Sequence, residues 1–98
     1  RGYDIVGRNW RCQVGEVDIV ARRDGAWSFV EVRARRGQAC GPPEESLTPA
    51  KYQRMVEVAL TYLGRRELND VDWRIGFVAV ALDQWGQVRR LEVYESIE

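Results

Sequence analysis

Two acidic residues, Asp18 and Glu31, lie in segments whose spacing can bring their carboxylates together. Residues 15–22 and 27–33 both alternate between apolar and polar side chains, as β-strands with one buried face do. Asp24-Gly25 between them is the signal for a two-residue hairpin turn. Counting outward from such a turn predicts that Asp18 stands directly opposite Glu31 on one face of the hairpin.

The same register predicts that Glu16 stands opposite Arg33, which completes a local polar cluster with Asp18 and Glu31. The Cβ atoms of directly opposed residues are about 4.5–5.5 Å apart, and like charges there destabilise the pair unless a cation neutralises them. Two such carboxylates offer the hard oxygen ligands that Mg²⁺ or Mn²⁺ prefers, and the cation can activate water for phosphodiester cleavage. The alternative is a surface salt-bridge ladder in which Arg33 and a neighbouring arginine neutralise the acids.

The composition restricts the chemistry further. The chain has 98 residues and no histidine, which excludes Ser-His-Asp catalysis and imidazole metal ligands. Its 15 basic and 15 acidic residues balance, but residues 1–36 hold eight arginines and five acids, an excess of +3 that suits a phosphate-bearing partner. Heavy arginine use can equally reflect genomic base composition. A chain of this length predicts a single domain over residues 1–98.

The cysteines and the hydropathy pattern bear on the compartment. Cys12 and Cys40 have neither the spacing of a zinc site nor the density of a secreted scaffold, so we expect reduced thiols in a cytoplasmic protein. The chain contains no apolar run of membrane-spanning length and no signal peptide pattern. We therefore expect no membrane partner.

The pattern along the chain predicts an α/β fold with a mixed sheet of about five strands and one helix. The predicted strands cover residues 3–8, 15–22, 27–33, 73–82 and 88–94. The fourth is a nearly continuous apolar run, which is typical of a central strand covered on both faces. Residues 37–47 contain two glycines and two prolines, which predicts a surface loop.

A helix is predicted to begin at Thr48, a good N-cap, with Pro49 at the first helical position, and to end near Arg66. Its apolar side chains recur at the spacing of one buried stripe, which we expect to pack on one face of the sheet. The predicted stripe consists of Tyr52, Met55, Val56, Ala59, Leu60 and Leu63.

These motifs match a known family. Gly15-Glu16-Val17-Asp18-Ile19-Val20, followed by Phe29-Val30-Glu31-Val32-Arg33-Ala34-Arg35, resembles the core motif of the YraN family. The likeness continues in family order at Gly2-Tyr3, Arg8-Asn9-Trp10, Thr48-Pro49 with Lys51, Leu60 with Tyr62-Leu63, and residues 74–80. The family is a predicted endonuclease-like group, similar to archaeal Holliday-junction resolvases of the PD-(D/E)xK superfamily. The resemblance covers most of the chain and implies a restriction-endonuclease-like fold.

The resemblance also implies roles for individual residues. Asp18 and Glu31 resemble the two metal-binding acids of the superfamily, and the backbone carbonyl of Val32 resembles its third ligand, so the implied cofactor is Mg²⁺ or Mn²⁺. Arg33 occupies the position of a lysine that orients or helps deprotonate the attacking water. An arginine can bind and polarise a phosphate, but it stays protonated and is a poor proton acceptor. By resemblance to these superfamily positions, the implied catalytic residues are Asp18, Glu31 and Arg33.

Contacts with nucleic acid are implied around this site. Arg35, Arg36 and Lys51 would flank it, and the helix N-terminus would add backbone N–H groups for phosphate. A solvated basic rim is the alternative. The four tryptophans can stack on splayed bases, although core packing is the commoner role for such residues.

Related proteins carry a glutamate on a helix before the first strand. By comparison with this pattern, we expect that the N-terminal helix is missing from the sequence that begins at Arg1. Glu16 is the candidate supporting acid, unless it pairs with Arg33 instead. Many enzymes on this fold act as dimers, so a homodimer is a further expectation.

Three functions follow from these residues. The first is a metal-dependent nuclease acting on DNA, for example on branched or damaged structures. The second is a nucleic-acid-binding module with a nuclease fold that has lost cleavage through Arg33. The third is an interaction protein in which internal salt bridges neutralise the acids and exposed aromatic residues meet another chain.

Overall fold

The computed structural model describes residues 2–36 and 48–95. Over these ranges the chain forms one helix, α1 (Pro49–Arg65), and five strands. The strands are β1 (Asp4–Arg11), β2 (Glu16–Arg23), β3 (Ala26–Arg36), β4 (Trp73–Leu82) and β5 (Val88–Glu95). The described part of the chain is therefore α/β, as predicted, whereas the predicted loop at 37–47 lies outside it.

The five strands form one mixed sheet in the order β1-β2-β3-β4-β5. Neighbouring strands are antiparallel except β3 and β4, which are parallel from Trp27 opposite Trp73 to Arg36 opposite Leu82. Because a tight turn cannot join parallel neighbours, the chain must cross over between these two strands. The segment that contains α1 makes this crossover.

The β2–β3 hairpin has the predicted turn and, near the turn, the predicted register. Both residues of the Asp24-Gly25 turn have positive φ, 52° and 81°, which matches a two-residue type I′ turn. The ladder extends from Arg23 opposite Ala26 to Ile19 opposite Val30. It ends there, so the predicted pairing of the residues beyond Ile19 with those beyond Val30 is wrong.

Tyr62 holds α1 against the sheet. Its side chain is 1% exposed, and its ring centroid lies 5.1 Å from that of Trp10, 5.8 Å from that of Trp27 and 5.5 Å from that of Phe29. Trp10 belongs to β1, whereas Trp27 and Phe29 belong to β3, so one helical side chain contacts two strands of the sheet. The pairs with Trp10 and Phe29 are edge-to-face, and such pairs contribute about 0.5–1.5 kcal/mol each beyond the area they bury.

The helix bounds agree with the prediction. The hydroxyl of Thr48 accepts a hydrogen bond from the backbone N–H of Lys51 at 3.2 Å, as an N-cap does, and Pro49 follows it. The helix ends at Arg65, one residue before the predicted end.

The buried stripe of α1 differs from the prediction. Leu60 is 52% exposed, whereas Val58 and Tyr62 are each 1% exposed. The aromatic contacts of Tyr62 fix which side of the helix meets the sheet, and they rotate that side toward Val58 and away from Leu60. The buried residues of the helix are Met55, Val58, Ala59, Tyr62 and Leu63.

The opposite face of the sheet is open within the described residues. It forms an apolar concavity of about 170 Å³. Residues that line it include Ile5, Ile19, Val30, Val78 and Val93. α1, the one helix in residues 2–36 and 48–95, packs on the other face. β4 is nevertheless buried at three consecutive residues, Ile75, Gly76 and Phe77, which alternate between the two faces, so the predicted burial of β4 on both faces holds at these residues.

No helix in the described ranges is both long enough and apolar enough to cross a membrane.

The helix orientation predicts different costs for two leucine truncations. Leu63→Ala removes a side chain that is 4% exposed in the core, so we expect a loss of about 2–5 kcal/mol in the free energy of unfolding. Leu60→Ala makes the same chemical change on the exposed side of α1, and we expect a change within about 0.5 kcal/mol. Urea denaturation of both variants measures the difference. Equal losses for the two would contradict this orientation of the helix.

Candidate functional site

Asp18 lies where β2 departs from regular alternation. Val17 and Val20 are three residues apart, and a regular strand would place them on opposite faces. Both nevertheless belong to the same core cluster, with exposures of 2% and 0%. The alternation of side chains between the two faces of β2 is therefore interrupted between Val17 and Val20, and Asp18 lies in the interrupted part.

The backbone of β3 holds the carboxylate of Asp18. The N–H of Val32 donates a hydrogen bond to Asp18 Oδ2 at 2.8 Å, where a regular ladder would offer a backbone carbonyl. The N–H and C=O of one residue in a strand point to the same side, so the Val32 carbonyl is also directed toward β2. The Asp18 carboxylate therefore lies at the peptide that joins Glu31 to Val32, on the same side of β3 as the Val32 carbonyl.

Glu31 is neutralised from its own strand. Its Oε2 accepts a hydrogen bond from Arg33 Nε at 2.7 Å, a short distance typical of a charge-assisted pair. The Glu31 side chain is 18% exposed and that of Arg33 is 44% exposed, so the pair lies at the edge of the core with access to solvent.

Glu16 does not join this pair. It stands opposite Arg11 in the β1–β2 ladder and forms its ion pair there, with Arg11 Nε and Glu16 Oε2 3.2 Å apart. The predicted pairing of Glu16 with Arg33 is wrong, because β2 turns away from β3 before Ile19 and brings Glu16 to β1 instead. The site therefore contains Asp18, Glu31, Val32 and Arg33.

The implied nucleic-acid residues are placed only in part. Arg35 and Arg36 continue β3 and stand opposite Ala81 and Leu82 of β4, so their backbone lies just beyond the site on the same strand. Their side chains lie outside the described part of the structure. Lys51 is an exposed residue in the first turn of α1. A role for these three in binding nucleic acid stays a prediction.

The donor set of the site fits a hard divalent cation. Within residues 2–36 and 48–95, no three Asp, Glu or Cys side chains are placed to hold a metal together. The site instead offers two carboxylates and the Val32 carbonyl. Mg²⁺ is commonly bound through one or two carboxylates with waters in its remaining positions, so these are oxygen donors of the kind it takes.

The four tryptophans have different roles. Trp27 is buried, and Trp10 and Trp73 pack against the core, so these three are unavailable for stacking on bases. Trp85, at 75% exposure in the turn between β4 and β5, is the one that faces solvent. Core packing, the alternative given above, is confirmed for Trp10, Trp27 and Trp73.

Arginines that were not predicted from the sequence as functional lie over aromatic rings near the C-terminal end of α1. Arg66 lies 3.7 Å from the Tyr62 ring centroid, and Arg22 lies 5.6 Å from that of Trp27. The signals were available, because Arg66 follows Tyr62 by four residues on a helix and Arg22 is the hairpin partner of Trp27.

The Val32 hydrogen bond predicts how Asp18 variants unfold in metal-free buffer. Asp18→Ala leaves the Val32 N–H without its acceptor, so we expect a loss of about 1–3 kcal/mol in the free energy of unfolding. Asp18→Asn keeps an oxygen that can accept this bond, so we expect a smaller loss. Urea denaturation in EDTA compares the two variants. If Asp18→Asn is as destabilising as Asp18→Ala, the hydrogen bond does not hold the site.

Comparison with known proteins identifies the family. The model of the uncharacterised protein family UPF0102 matches residues 1–82. A UPF0102 protein of Roseiflexus castenholzii is 47% identical over 83 residues, which are 84% of this chain and 67% of that protein. One from Geotalea uraniireducens is 49% identical over 80 residues, 82% of this chain and 63% of that protein.

A third relative extends the match along this chain. A UPF0102 protein of Moorella thermoacetica is 44% identical over 95 residues, which are 97% of this chain and 79% of that protein. The chain thus spans about two thirds of the length of the first two relatives. The family model and these identities confirm the YraN-like family that the motifs predicted, and the chain belongs to the uncharacterised protein family UPF0102.

Proposed function

We propose that this protein is a metal-dependent nuclease that acts on DNA, with Asp18 and Glu31 as ligands of Mg²⁺ or Mn²⁺. The observation that supports the proposal most is the hydrogen bond from the Val32 N–H to the Asp18 carboxylate. It brings the Asp18 carboxylate to the peptide that joins Glu31 and Val32, although the regular ladder has already ended. The Asp18 carboxylate and the Glu31 residue thus meet at one peptide of β3.

The side chains of the site have separable tasks in this proposal. Val32 holds Asp18 through one carboxylate oxygen, which leaves the other oxygen for a cation. Bound by Asp18, Glu31 and the Val32 carbonyl, a divalent cation would lower the pKa of a coordinated water and offset charge on a phosphate.

Arg33 is suited to bind the phosphate. Its Nε is used by Glu31, and the two terminal nitrogens of the guanidinium retain donors that no described contact occupies. A guanidinium matches the geometry of phosphate oxygens and stays charged, so Arg33 orients the phosphate and offsets its charge without accepting a proton.

The wider architecture supports the same proposal. Asp18 on β2 and Glu31-x-Arg33 on the next strand, β3, follow the order implied by the PD-(D/E)xK resemblance. The restriction-endonuclease-like fold and the homodimer implied by that resemblance belong to this proposal, as does the cytoplasmic location expected from the cysteines. The assembly state is measured by analytical ultracentrifugation of the full chain.

A second function, DNA binding without cleavage, is favoured by one observation. Arg33 pairs with Glu31 at 2.7 Å and competes with a cation for this carboxylate. Since an arginine is also a poor proton acceptor, the site would then bind a phosphate and leave the ester bond intact. The two functions make opposite predictions for turnover.

Cleavage of labelled DNA separates them. We expect the full chain to cut a four-way junction or a flapped duplex when Mn²⁺ or Mg²⁺ is present and to be inactive in EDTA. Asp18→Asn should lower the rate at least about 100-fold, because it removes a charged ligand and keeps the hydrogen bond. Asp70→Asn makes the same change at an exposed turn residue and should leave the rate unchanged.

The results that would contradict each function are distinct. Turnover that survives Asp18→Asn contradicts the nuclease site. DNA binding without turnover in the parent, together with cleavage by Arg33→Lys, supports the binding module and identifies Arg33 as the cause. Neither binding nor turnover in either protein contradicts both functions.

A further inference from the structure

Three aromatic rings from three elements meet near the C-terminal end of α1. Tyr62 contacts Trp10 at a centroid distance of 5.1 Å and Trp27 at 5.8 Å. Since Tyr62 is 1% exposed and Trp27 is 7% exposed, the rings are fixed by core packing. They form a rigid support on the face of the sheet that α1 covers.

Each of these rings has an arginine over it. The three arginines come from β2 and from the end of α1, and all three are exposed residues. The guanidinium carbons lie 5.6 Å from the Trp27 centroid for Arg22, 5.5 Å from the Trp10 centroid for Arg65 and 3.7 Å from the Tyr62 centroid for Arg66.

Nearby acids do not neutralise this arginine surface, which we define as Arg22, Arg65 and Arg66. In residues 2–36 and 48–95, none of the three forms an ion pair. Asp4 stands opposite Arg22 in the β1–β2 ladder and Glu67 follows Arg66 in sequence, yet neither carboxylate comes within ion-pair distance of an arginine there. Three positive charges therefore remain available to a partner.

Stacking prepares these arginines to bind phosphate. At 3.7 Å from the Tyr62 centroid, the Arg66 guanidinium is close enough to lie flat on the ring, which leaves the N–H donors around its edge free. Arg22 and Arg65, at 5.6 Å and 5.5 Å, are within cation–π range of their rings. The N–H donors of a guanidinium match two oxygens of one phosphate. Because the aromatic rings already restrict the arginine side chains, less conformational entropy is lost when a phosphate binds.

We propose that the Arg22, Arg65 and Arg66 surface binds the phosphate backbone of duplex DNA. The choice of DNA rests on the proposed function, whereas the surface itself is separate from the Asp18 and Glu31 site. Arg22 is four residues from Asp18 on β2, at most about 13 Å along the strand. The arginine surface thus engages phosphates away from the one at the carboxylates and sets the position of the duplex.

Salt-dependent binding tests this surface without any cleavage. Fluorescence anisotropy in EDTA measures the affinity of the full chain for a labelled duplex over a range of salt concentrations. Each phosphate contact adds about 0.9 to the slope of log affinity against log salt, so Arg22→Gln/Arg65→Gln/Arg66→Gln should lower the slope by roughly 2–3 units. We also expect the affinity of this triple variant to fall at least about tenfold.

Three controls separate charge, stacking and folding. Arg89→Gln removes one positive charge from an exposed position on β5. It should change affinity and slope less than Arg22→Gln, Arg65→Gln or Arg66→Gln made singly. The triple Arg→Lys variant keeps the charges without the planar stack, so it should keep most of the slope while binding more weakly. Circular dichroism confirms that each variant is folded.

Several results would overturn the inference. The first is a triple Gln variant that keeps the parent slope and affinity. The second is a folded parent that does not bind duplex DNA. The third is competition by polyglutamate as strong as competition by unlabelled duplex, which would indicate an acidic protein partner instead.

Different results would contradict the proposed nuclease and the proposed arginine surface. A parent that binds DNA with the expected slope but shows no turnover with Mn²⁺ contradicts the nuclease and leaves this inference intact. Conversely, turnover that depends on Asp18 together with an unchanged slope in the triple variant contradicts only the arginine surface.

Discussion

The parallel pairing of β3 with β4 is the constraint on which the rest of the structure depends. Parallel neighbours need a crossover, and the chain supplies it with a segment that contains α1. The helix then covers one face of the sheet, and Tyr62 packs against rings from β1 and β3. This packing fixes which side of α1 is buried and forms the main core.

The core in turn shapes the candidate site. Both Val17 and Val20 are buried on the helix side, so β2 cannot keep its alternation and separates from β3 before Ile19. The separation leaves the Val32 N–H without a ladder partner, and the carboxylate of Asp18 accepts its hydrogen bond. An irregularity in the strand thus places a carboxylate where the β3 backbone and Glu31 are close.

The sequence predicted most of this fold because its signals are local. The turn at Asp24-Gly25 determines the hairpin register near the turn, and Thr48-Pro49 determines where α1 begins. The pairs beyond Ile19 could not be predicted by counting, since the face change of β2 depends on tertiary packing of Val17. Leu60 was misplaced for a similar reason, because helical periodicity permits several stripes and the contacts of Tyr62 select one.

The candidate site, like the fold, was predictable from the sequence only in part. The motif identified Asp18, Glu31 and Arg33, and the hairpin explains why β2 and β3 are neighbours, but the ladder ends at Ile19 and Val30, so the contact of Asp18 with the Val32 N–H could not be predicted by counting. The ion-pair partner of Glu16 could not be predicted either, because Glu16 pairs with Arg11 only when β1 lies against β2 at that point. The arginine surface could not be predicted from the sequence, because it depends on the packing of Trp10, Trp27 and Tyr62, which come from three separate parts of the chain.

The most direct test of the account is a Mg²⁺ titration of the ¹⁵N-labelled full chain followed by amide NMR. If Asp18, Glu31 and the Val32 carbonyl bind the cation, the Val32 amide resonance shifts and saturates, because its N–H donates to the Asp18 carboxylate. Amides of the turn at Asp24-Gly25, at the far end of the hairpin, stay unchanged. A Val32 resonance that does not move while Mg²⁺ saturates another part of the protein, or no saturable shift at all, would contradict the metal site.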